Sequence, residues 1–403
     1  MIYNFDNIID RRGTGSYKWD SPGPTSIRQS CEHAADMLPM WVADMDFATA
    51  PCIVEALRRR VEHGIFGYTL VTDDYYDAVI NWFSRRHGWQ IERSSIMYTT
   101  GVVPAISAVI KALTRPGDKV ITQTPAYNCF FSSIRNNGCL LAPNNLVYSP
   151  AHTYSIDFAD LEAKACDERA TLLLLCNPHN PSGRVWTAGE LTRIGDICRR
   201  HGVTIVSDEI HCELTYDGHD YTPLQSVYDG PCVTCVSPSK AFNIAGLQIA
   251  SIITRCEDFR RRIDRAINDN EVCDVNPFGV TATIAAYNEG GEWLDALRRY
   301  LWGNYLSVRR FFAERLPHCP VLPLEGTYLV WVDVRHVRRS RFQSRQSVEE
   351  LADRLYANQH IRVNPGTMYG PGGEGFLRLN IACPRSRVED ALLRIEQELR
   401  AKG

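Results

Sequence analysis

The sequence predicts an α/β protein: a large domain with a mainly parallel central sheet flanked by helices, plus a smaller α+β domain. Two observations predict this architecture. From residue 96, short apolar runs such as "KVITQ", "TLLLLC" and "VTIVSDE" alternate with amphipathic stretches, the order expected when helices connect parallel strands. After about residue 290, a long helical stretch precedes the runs "TYLVWVDV" and "FLRLNIAC", which is typical of a mixed second domain.

The length of 403 residues suits one large domain with a smaller partner. We expect an N-terminal arm over residues 1–48 that belongs partly to the small domain, a large domain over 49–290 and a small C-terminal domain over 291–403. Apolar periodicity and closing glycines predict helices over residues 51–63, 73–87, 292–316, 347–359 and from 386 onwards.

Composition and charge exclude several classes of protein. The formal net charge of −3 argues against a nucleic-acid or anionic-membrane partner. The N-terminus is polar and the longest strongly apolar run, residues 170–176, is too short to span a bilayer, so we expect a cytoplasmic location. The 14 cysteines should then be reduced. Cys232 and Cys235 form a C-x-x-C without a second pair, so we expect no metal site.

Two charged residues follow predicted buried strands. Lys240 lies in "VSPSKAFNIAGLQ" (236–248) and Asp208 in "VSDEIH" (206–211). A poorly solvated lysine can form an imine with a carbonyl group, although a lysine can also extend from a sheet rim into solvent. A buried acid needs a cationic partner, which a protonated pyridine or an ordinary arginine would provide.

Two further strand ends suggest a polar ligand. The turn "NPHNPSG" (177–183) contains Asn177 and Asn180, which either direct amides at a ligand or only form the turn. In "YTTGVVPAIS" (98–107), Gly101 precedes a predicted helix. The free N–H groups after it, at Val102 and Val103, would suit a phosphate, although a single glycine turn is weak evidence by itself.

Together these groups match one cofactor. It has an aldehyde for Lys240, a ring nitrogen for Asp208, a ring hydroxyl for Asn180 and a phosphate for the Gly101 turn. That molecule is pyridoxal 5′-phosphate (PLP), bound by the large domain. Tyr127 in "TPAYNCF" ends a strand at the same edge and could stack on the ring. The hydroxyls of two serines would add donors to the phosphate: Ser237 and Ser239.

Nearly the whole chain resembles the fold-type-I, aspartate-aminotransferase-like enzymes. More narrowly it resembles the MalY/PatB group of cystathionine β-lyases, or C–S lyases. The motifs that carry the resemblance are "KWD" (18–20), "LPMWVADMDF" (38–47), "HGIFGYT" (63–69), "RHGW" (86–89), "NPHNPSGRVWT" (177–187), "SDEIH" (207–211), "SPSK-x-FNIAGLQ" (237–248) and "RLNIACPRS" (378–386).

The resemblance implies a role for each site residue. Lys240, Asp208 and Tyr127 would be catalytic: the lysine bonds the cofactor, the acid pairs with the pyridine nitrogen and the tyrosine stacks on the ring. Tyr68 would reach the phosphate of the neighbouring subunit's cofactor, which implies a homodimer. Arg378 would clamp the substrate α-carboxylate, unless it is a surface strand arginine. The other residues expected near the substrate are Tyr328, Asn180 and Trp41.

The sequence departs from relatives at three positions. Gln248 stands where many relatives have a phosphate-binding arginine, so the phosphate would depend more on Tyr68 and backbone donors. His211 stands where many transaminases have tyrosine, and it either contacts the ring hydroxyl or only packs. Ala241 stands where the group often has a hydroxyl residue, which would weaken one phosphate contact.

By resemblance, the reaction is β-elimination of cystathionine or other cysteine S-conjugates to a thiol, pyruvate and ammonia, in methionine biosynthesis. Lys240 would remove the Cα proton, and Tyr68 and Tyr328 are both candidates to protonate the sulfur. Two alternatives stay open at this point: an aminotransferase, and a non-catalytic PLP-binding regulator. A NAD-dependent dehydrogenase is disfavoured, because "GPGGEG" (370–375) does not open a βαβ unit.

Overall fold

The computed structural model describes residues 3–22, 36–269, 271, 274–337 and 347–400. The predicted domains also include residues 1–2, 23–35, 270, 272–273, 338–346 and 401–403, which lie outside the described residues. The strands are β1 Leu38–Pro39, β2 Ile96–Thr99, β3 Lys119–Thr124, β4 Leu140–Asn145, β5 Val147–Tyr148, β6 Tyr154–Ser155, β7 Ala170–Cys176, β8 Thr204–Asp208, β9 Cys232–Val236, β10 Ala250–Ile253, β11 Leu329–Asp333, β12 Ile361–Arg362, β13 Asn364–Pro365 and β14 Phe376–Asn380.

The helices lie between and around these strands. They are α1 Tyr17–Asp20, α2 Pro51–His63, α3 Asp73–His87, α4 Val102–Leu113, α5 Asn128–Asn136, α6 Phe158–Ala165, α7 Ala188–His201, α8 Leu224–Val227, α9 Glu257–Asn268, α10 Pro277–Glu289, α11 Gly291–Arg315, α12 Val348–Gln359 and α13 Arg385–Arg400. No helix within the described ranges combines the length and the apolar character that a bilayer crossing requires.

The central sheet confirms the predicted α/β class. Within the described ranges it has seven strands in the order β2-β10-β9-β8-β7-β3-β4. Only β10 runs antiparallel to its neighbours, while β4, β3, β7, β8 and β9 are mutually parallel. The inner strands β7, β8 and β9 are buried along almost their whole length, as expected of a sheet covered on both faces.

The predicted helices form within a residue or two of their expected limits. Helices α2 and α3 end where expected, at Gly64 and Gly88, whose φ angles of 74° and 63° are the left-handed conformation that glycine adopts without steric cost. Helix α12 begins after Ser347, whose side chain accepts a hydrogen bond from the Glu350 backbone N–H and so caps the helix.

A second, smaller sheet contains the C-terminal strands. Strands β11, β14 and β13 are antiparallel neighbours. The N-terminal arm joins this part of the chain, because β1 pairs in parallel with β12, with Leu38 opposite Ile361 and Pro39 opposite Arg362. This pairing agrees with an arm that belongs partly to the small domain, and the limits of the domains stay a prediction.

A buried ion cluster anchors the N-terminal arm. The carboxylate of Asp46, only 2% exposed, forms ion pairs with Lys18 at 3.2 Å, Arg11 at 2.9 Å and Arg387 at 3.3 Å. It also accepts a hydrogen bond from Trp19 Nε1 at 2.9 Å. Burial opposes ionisation of Asp46, but Lys18 and the other cations outweigh it and hold its pKa below the usual range.

Replacing Asp46 by asparagine should destabilise the protein by about 3–5 kcal/mol, because it leaves the buried Lys18 without its closest anion. The contribution of Asp46 should be complete above about pH 4 and be lost as pH falls through its lowered folded-state pKa. Urea unfolding at pH 7 measures the loss. The matched control, Asp10→Asn, breaks an exposed pair with Arg12 and should cost much less; equal losses in the two variants would contradict a central anchor.

Candidate active site

The predicted residues meet at one edge of the central sheet. Register places Cys176, Asp208 and Cys235 side by side on β7, β8 and β9. Asn177 directly follows the first of these strands and Asn180 follows it by four residues, as Lys240 follows the third. Ligands bind at such carboxyl ends of parallel strands, so the sheet itself brings these side chains together.

Asp208 is a buried acid without a cationic partner. It is 3% exposed, its Oδ1 accepts a hydrogen bond from the Ile210 backbone N–H at 3.1 Å, and it forms no ion pair with any described residue. Burial raises its pKa to about 7, although the Ile210 bond and the charge of Lys240 oppose the rise. The alternative of a structural arginine pair is therefore wrong, and the carboxyl is suited to a cationic ligand atom.

Lys240 is turned into the protein rather than towards solvent. Its Nζ donates a hydrogen bond to the Ala43 carbonyl at 2.7 Å. Burial lowers its pKa, with Asp44 opposing the shift and Arg378 adding to it. A sheet-rim lysine that extends into solvent is not what the structure has. A lowered pKa increases the fraction of neutral amine, the form that attacks carbonyl groups.

Arg378 lies in β14 beside two of the three residues predicted to share the substrate with it. It is 4% exposed, which corrects the alternative of a surface arginine. Its Nη1 donates to Asn180 Oδ1 at 3.1 Å and its Nη2 to the Trp41 carbonyl at 2.8 Å. Its Nε is buried without a partner. Tyr369 lies under the guanidinium at 4.8 Å, which fixes the plane of the fork.

Residues 41–46, which we name the strap, cross this site with their backbone carbonyls directed at functional side chains. The Ala43 carbonyl accepts from both Lys240 and the Tyr328 hydroxyl, the latter at 2.9 Å. Asn380 Nδ2 donates to the Asp44 carbonyl at 2.6 Å. Sequence reasoning used the strap only as a family motif. A buried irregular segment needs hydrogen-bond donors for its carbonyls. This requirement is the signal that could have indicated the contacts between the strap and the site side chains.

His211 and Asn177 each have one buried polar atom without a partner. These atoms are His211 Nδ1 and Asn177 Oδ1. Burial, with the charges of Lys240 and Arg378, lowers the pKa of His211 to about 3, so its imidazole is neutral at working pH. Its ring centroid lies 6.2 Å from that of Tyr328. The two interpretations of His211, a ring-hydroxyl contact or packing, both remain.

Glu209 is a site residue that sequence reasoning missed. It is fully buried and accepts hydrogen bonds from Ser207 Oγ at 2.7 Å, the Leu224 backbone N–H at 3.1 Å and Asn177 Nδ2 at 3.4 Å, as well as from Tyr221. Burial raises its pKa. Glu209 thus orients Asn177 from behind. The second acid in "SDEIH" was the available signal, because two acids after a buried strand require separate partners.

The helix α4 begins at the predicted phosphate turn. Gly101 precedes it with a φ of 148°, and no side chain caps the first-turn N–H groups of this 12-residue helix, so the backbone from Val102 and Val103 on can bind an anion. Ser237 Oγ donates to the Ile249 carbonyl at 2.7 Å and accepts from the Ser239 backbone N–H at 3.1 Å. These bonds hold Ser237 in place within its own loop, and its expected contact with the phosphate stays a prediction.

Four other predicted positions differ from expectation or stand apart. Tyr127 does not end a strand, since β3 stops at Thr124, and it instead precedes α5, half-buried. Burial raises the pKa of its phenol. Tyr68 is 99% exposed, so within one chain it contacts almost nothing. Gln248 is exposed and Ala241 is buried.

The donor set fits pyridoxal phosphate. The unpartnered atoms of His211, Asn177 and Arg378 surround an acid suited to a cationic ring nitrogen and an amine suited to an aldehyde. The uncapped start of α4 suits a phosphate. The thiols of Cys232 and Cys235 are buried and free, and the described part of the chain has no group of three or more His, Cys, Asp or Glu residues able to hold a metal ion.

Comparisons with known proteins agree with this geometry. Residues 35–395 match the model of the family "Aminotransferase class I and II". Cystathionine beta-lyase PatB of Bacillus subtilis is 42% identical over 399 residues, which cover 98% of this chain and 100% of the relative. Protein MalY of Escherichia coli is 34% identical, with 99% and 100% covered.

Solved structures give the same result. Cystalysin from Treponema denticola, whose structure contains a pyridoxal 5′-phosphate cofactor, matches with a TM-score of 0.92 and 34% identity, covering 99% of both chains. The PLP-bound C–S lyase from Staphylococcus hominis matches with a TM-score of 0.89 and 32% identity, covering 98% of this chain and 99% of that one. The predicted resemblance is confirmed, and the chain belongs to the aminotransferase class I and II family.

Proposed function

We propose that this chain is a PLP-dependent carbon–sulfur lyase that cleaves cystathionine or related cysteine S-conjugates by β-elimination, releasing a thiol, pyruvate and ammonia. One observation carries the proposal. Asp208, which is buried without a cation, and the inward-turned amine of Lys240 lie at the same edge of the sheet. Relatives named cystathionine β-lyase support the choice of reaction.

Bound PLP supplies an electron sink that stabilises negative charge at the substrate Cα. Asp208 keeps the proton on the ring nitrogen, since a carboxylate in this buried position is stabilised only by a cation beside it. Lys240 would hold the cofactor at its aldehyde, and its neutral amine would take the Cα proton of the substrate. Its lowered pKa favours the neutral amine that both tasks require.

Arg378 orients the substrate. Its fork is held by Asn180 and the Trp41 carbonyl and offers the bidentate geometry that suits an α-carboxylate. The Tyr328 hydroxyl shares the Ala43 carbonyl with Lys240, so it lies close to the amine. Burial raises the pKa of Tyr328, and a phenol that keeps its proton can donate it to the departing sulfur.

The other predicted site residues would hold the cofactor in their expected roles. Tyr127 would stack on the ring, Asn180 and Asn177 would contact its polar edge with His211 beside them, and the N–H groups after Gly101 would bind the phosphate together with Ser237 and Ser239. We assign the large domain, residues 49–290, to cofactor binding, and residues 1–48 and 291–403 to the arm and the small domain. Release of homocysteine would serve methionine biosynthesis in the cytoplasm.

The site is completed in a homodimer. Tyr68 is 99% exposed, and it lies in an exposed apolar patch that includes Val61, Ile65, Phe66 and Leu70, each more than half exposed. An apolar patch of this kind marks an interaction surface. A second copy of the chain would cover the patch and take up Tyr68 beside its own cofactor phosphate.

The two alternatives are not favoured. An aminotransferase would use the same Lys240 and Asp208, but a relative with 42% identity is named a cystathionine β-lyase, whereas one named an asparagine–oxo-acid transaminase is 24% identical. A non-catalytic regulator would not need Lys240, Asp208 and Arg378 together in one site, and here the charges of both Arg378 and Asp208 act on Lys240.

Purified enzyme supplied with PLP and cystathionine should release pyruvate and homocysteine without a keto-acid acceptor. Lys240→Ala should abolish this release, because it removes the base that takes the Cα proton. Lactate dehydrogenase coupling measures pyruvate, and borohydride reduction followed by mass spectrometry locates the cofactor on Lys240. Strict dependence on an added keto acid would contradict the lyase assignment and favour the aminotransferase.

Asp208→Asn should lower elimination on the order of a hundredfold or more, because the ring nitrogen loses its carboxylate.

The same variant should change how stability depends on pH. In the apoprotein, Asp208 keeps its proton up to about pH 7, whereas the unfolded chain releases it near pH 4. Folding therefore binds an extra proton between these values, and wild-type stability should fall as pH rises, by up to about 1.4 kcal/mol per pH unit.

Urea unfolding of the two apoproteins at pH 5 and pH 7.5 measures this effect. The stability of Asp208→Asn relative to wild type should increase with pH over this interval, because asparagine does not titrate. A stability difference that is the same at both pH values would contradict a neutral, buried Asp208 in the apoprotein.

Subunit mixing tests the role of Tyr68. The Lys240→Ala homodimer should be inactive and the Tyr68→Ala homodimer weakly active, but a hybrid of the two contains one site with both Lys240 and the partner's Tyr68 intact. Co-refolded mixtures should therefore regain activity above the sum of the two variants. If Tyr68 acted within its own chain, no hybrid site would be complete and mixing would restore nothing.

A further inference from the structure

Two guanidinium groups contact the two ends of Trp41. Arg378 donates to its carbonyl at 2.8 Å, and Arg362 lies over its indole ring, with Cζ 3.5 Å from the ring centroid. Tyr17, 71% exposed, packs against the same indole at 5.3 Å between ring centroids. Arg378 is assigned to the substrate α-carboxylate, whereas Arg362 has no role in the reaction described above.

Strand register explains why Arg362 lies next to the substrate site. Asn364 pairs with Arg378 across β13 and β14, and its Nδ2 donates to the Trp41 carbonyl at 2.9 Å. Arg362 lies two residues before Asn364, in β12, which pairs in parallel with β1 just before Trp41. Its guanidinium thereby reaches the indole ring of Trp41.

Arg362 has no acidic partner among the described residues. Its Nη1 makes two long hydrogen bonds, to Ser21 Oγ at 3.3 Å and to the Pro22 carbonyl at 3.2 Å, and Nε and Nη2 have no partner within the described ranges. Burial lowers its pKa, opposed only by the hydroxyls of Tyr356 and Tyr17. A half-buried guanidinium with free donors and no counter-ion is well suited to bind an anion.

We propose that Arg362 is a specificity-determining residue that binds a carboxylate at the far end of the substrate's sulfur substituent. The inference deepens the proposed function and rests on it. With the α-carboxylate on Arg378, the sulfur substituent extends past Trp41 towards Arg362, and Tyr17 forms an aromatic wall beside it. Substrates with a second carboxylate, such as cystathionine, are favoured over thioethers of similar length that end in an alkyl group.

The preference for a substrate with a second carboxylate has two physical causes. A guanidinium already planar against an indole ring loses little freedom when it binds. A site built to pair a polar group discriminates against an analogue that lacks the group, because the polar atoms of the site are then left unpaired. A hydrogen bond to a charged group contributes enough to change relative affinity by about tenfold or more.

The test compares cystathionine with S-propyl-L-cysteine in four PLP-loaded proteins: wild type, Arg362→Met, Arg362→Lys and Arg193→Met. The last is a matched control, because Arg193 lies over the Phe158 ring at 4.0 Å, away from the site. The ratio of kcat/KM for cystathionine to that for S-propylcysteine should fall about tenfold in Arg362→Met, through KM rather than kcat. Arg362→Lys should recover part of it, and Arg193→Met should match wild type.

A binding measurement separates this inference from the proposed function. Calorimetry in a Lys240→Ala background gives the Kd of both ligands without turnover, so it reports on Arg362 even if wild type fails to eliminate and the proposed function falls. A selective weakening of cystathionine by Arg362→Met supports the inference. Equal weakening of both ligands assigns Arg362 a structural role on Trp41, and no weakening removes it from the site; either result overturns the inference.

Discussion

The site depends on one constraint: a carboxyl group is held deep in the protein without a cation. Asp208 is 3% exposed and makes no ion pair among the described residues, and burial raises its pKa to about 7. Such a group is costly to ionise unless a ligand brings the positive charge. Parallel strand register then places Lys240 and the asparagine turn at the same edge, so the ligand that neutralises the acid also meets the amine.

The N-terminal arm converts this edge of the sheet into an enclosed site. Its strap provides the Ala43 carbonyl to Lys240 and Tyr328, and the Trp41 carbonyl to Arg378. The buried cluster around Asp46 holds the strap in position from behind. Stability and function are therefore linked along the strap. Its backbone carbonyls are satisfied by the side chains of Lys240, Tyr328 and Arg378, and the same hydrogen bonds orient these side chains for the substrate.

Sequence reasoning succeeded where local patterns determine position. Asp208, Asn180 and Lys240 could be brought together because each lies at or just after the end of a strand, and parallel strands end at one edge. Ala43 and Glu209 were missed, since a backbone carbonyl has no residue signature and the partners of Glu209 are distant in sequence. The bond from the Ser237 hydroxyl to the Ile249 carbonyl could not be predicted either, since it depends on how β9 and β10 pair.

The central claim is that Asp208 holds a proton on the ring nitrogen of a cofactor bonded to Lys240. Nitrogen NMR of enzyme loaded with PLP that is ¹⁵N-labelled at the ring measures that proton directly. The account predicts a protonated ring nitrogen at pH 8 in wild type and in the Arg193→Met control, and loss of the proton in Asp208→Asn. A ring nitrogen that is unprotonated in wild type, or that keeps its proton without Asp208, would contradict the account.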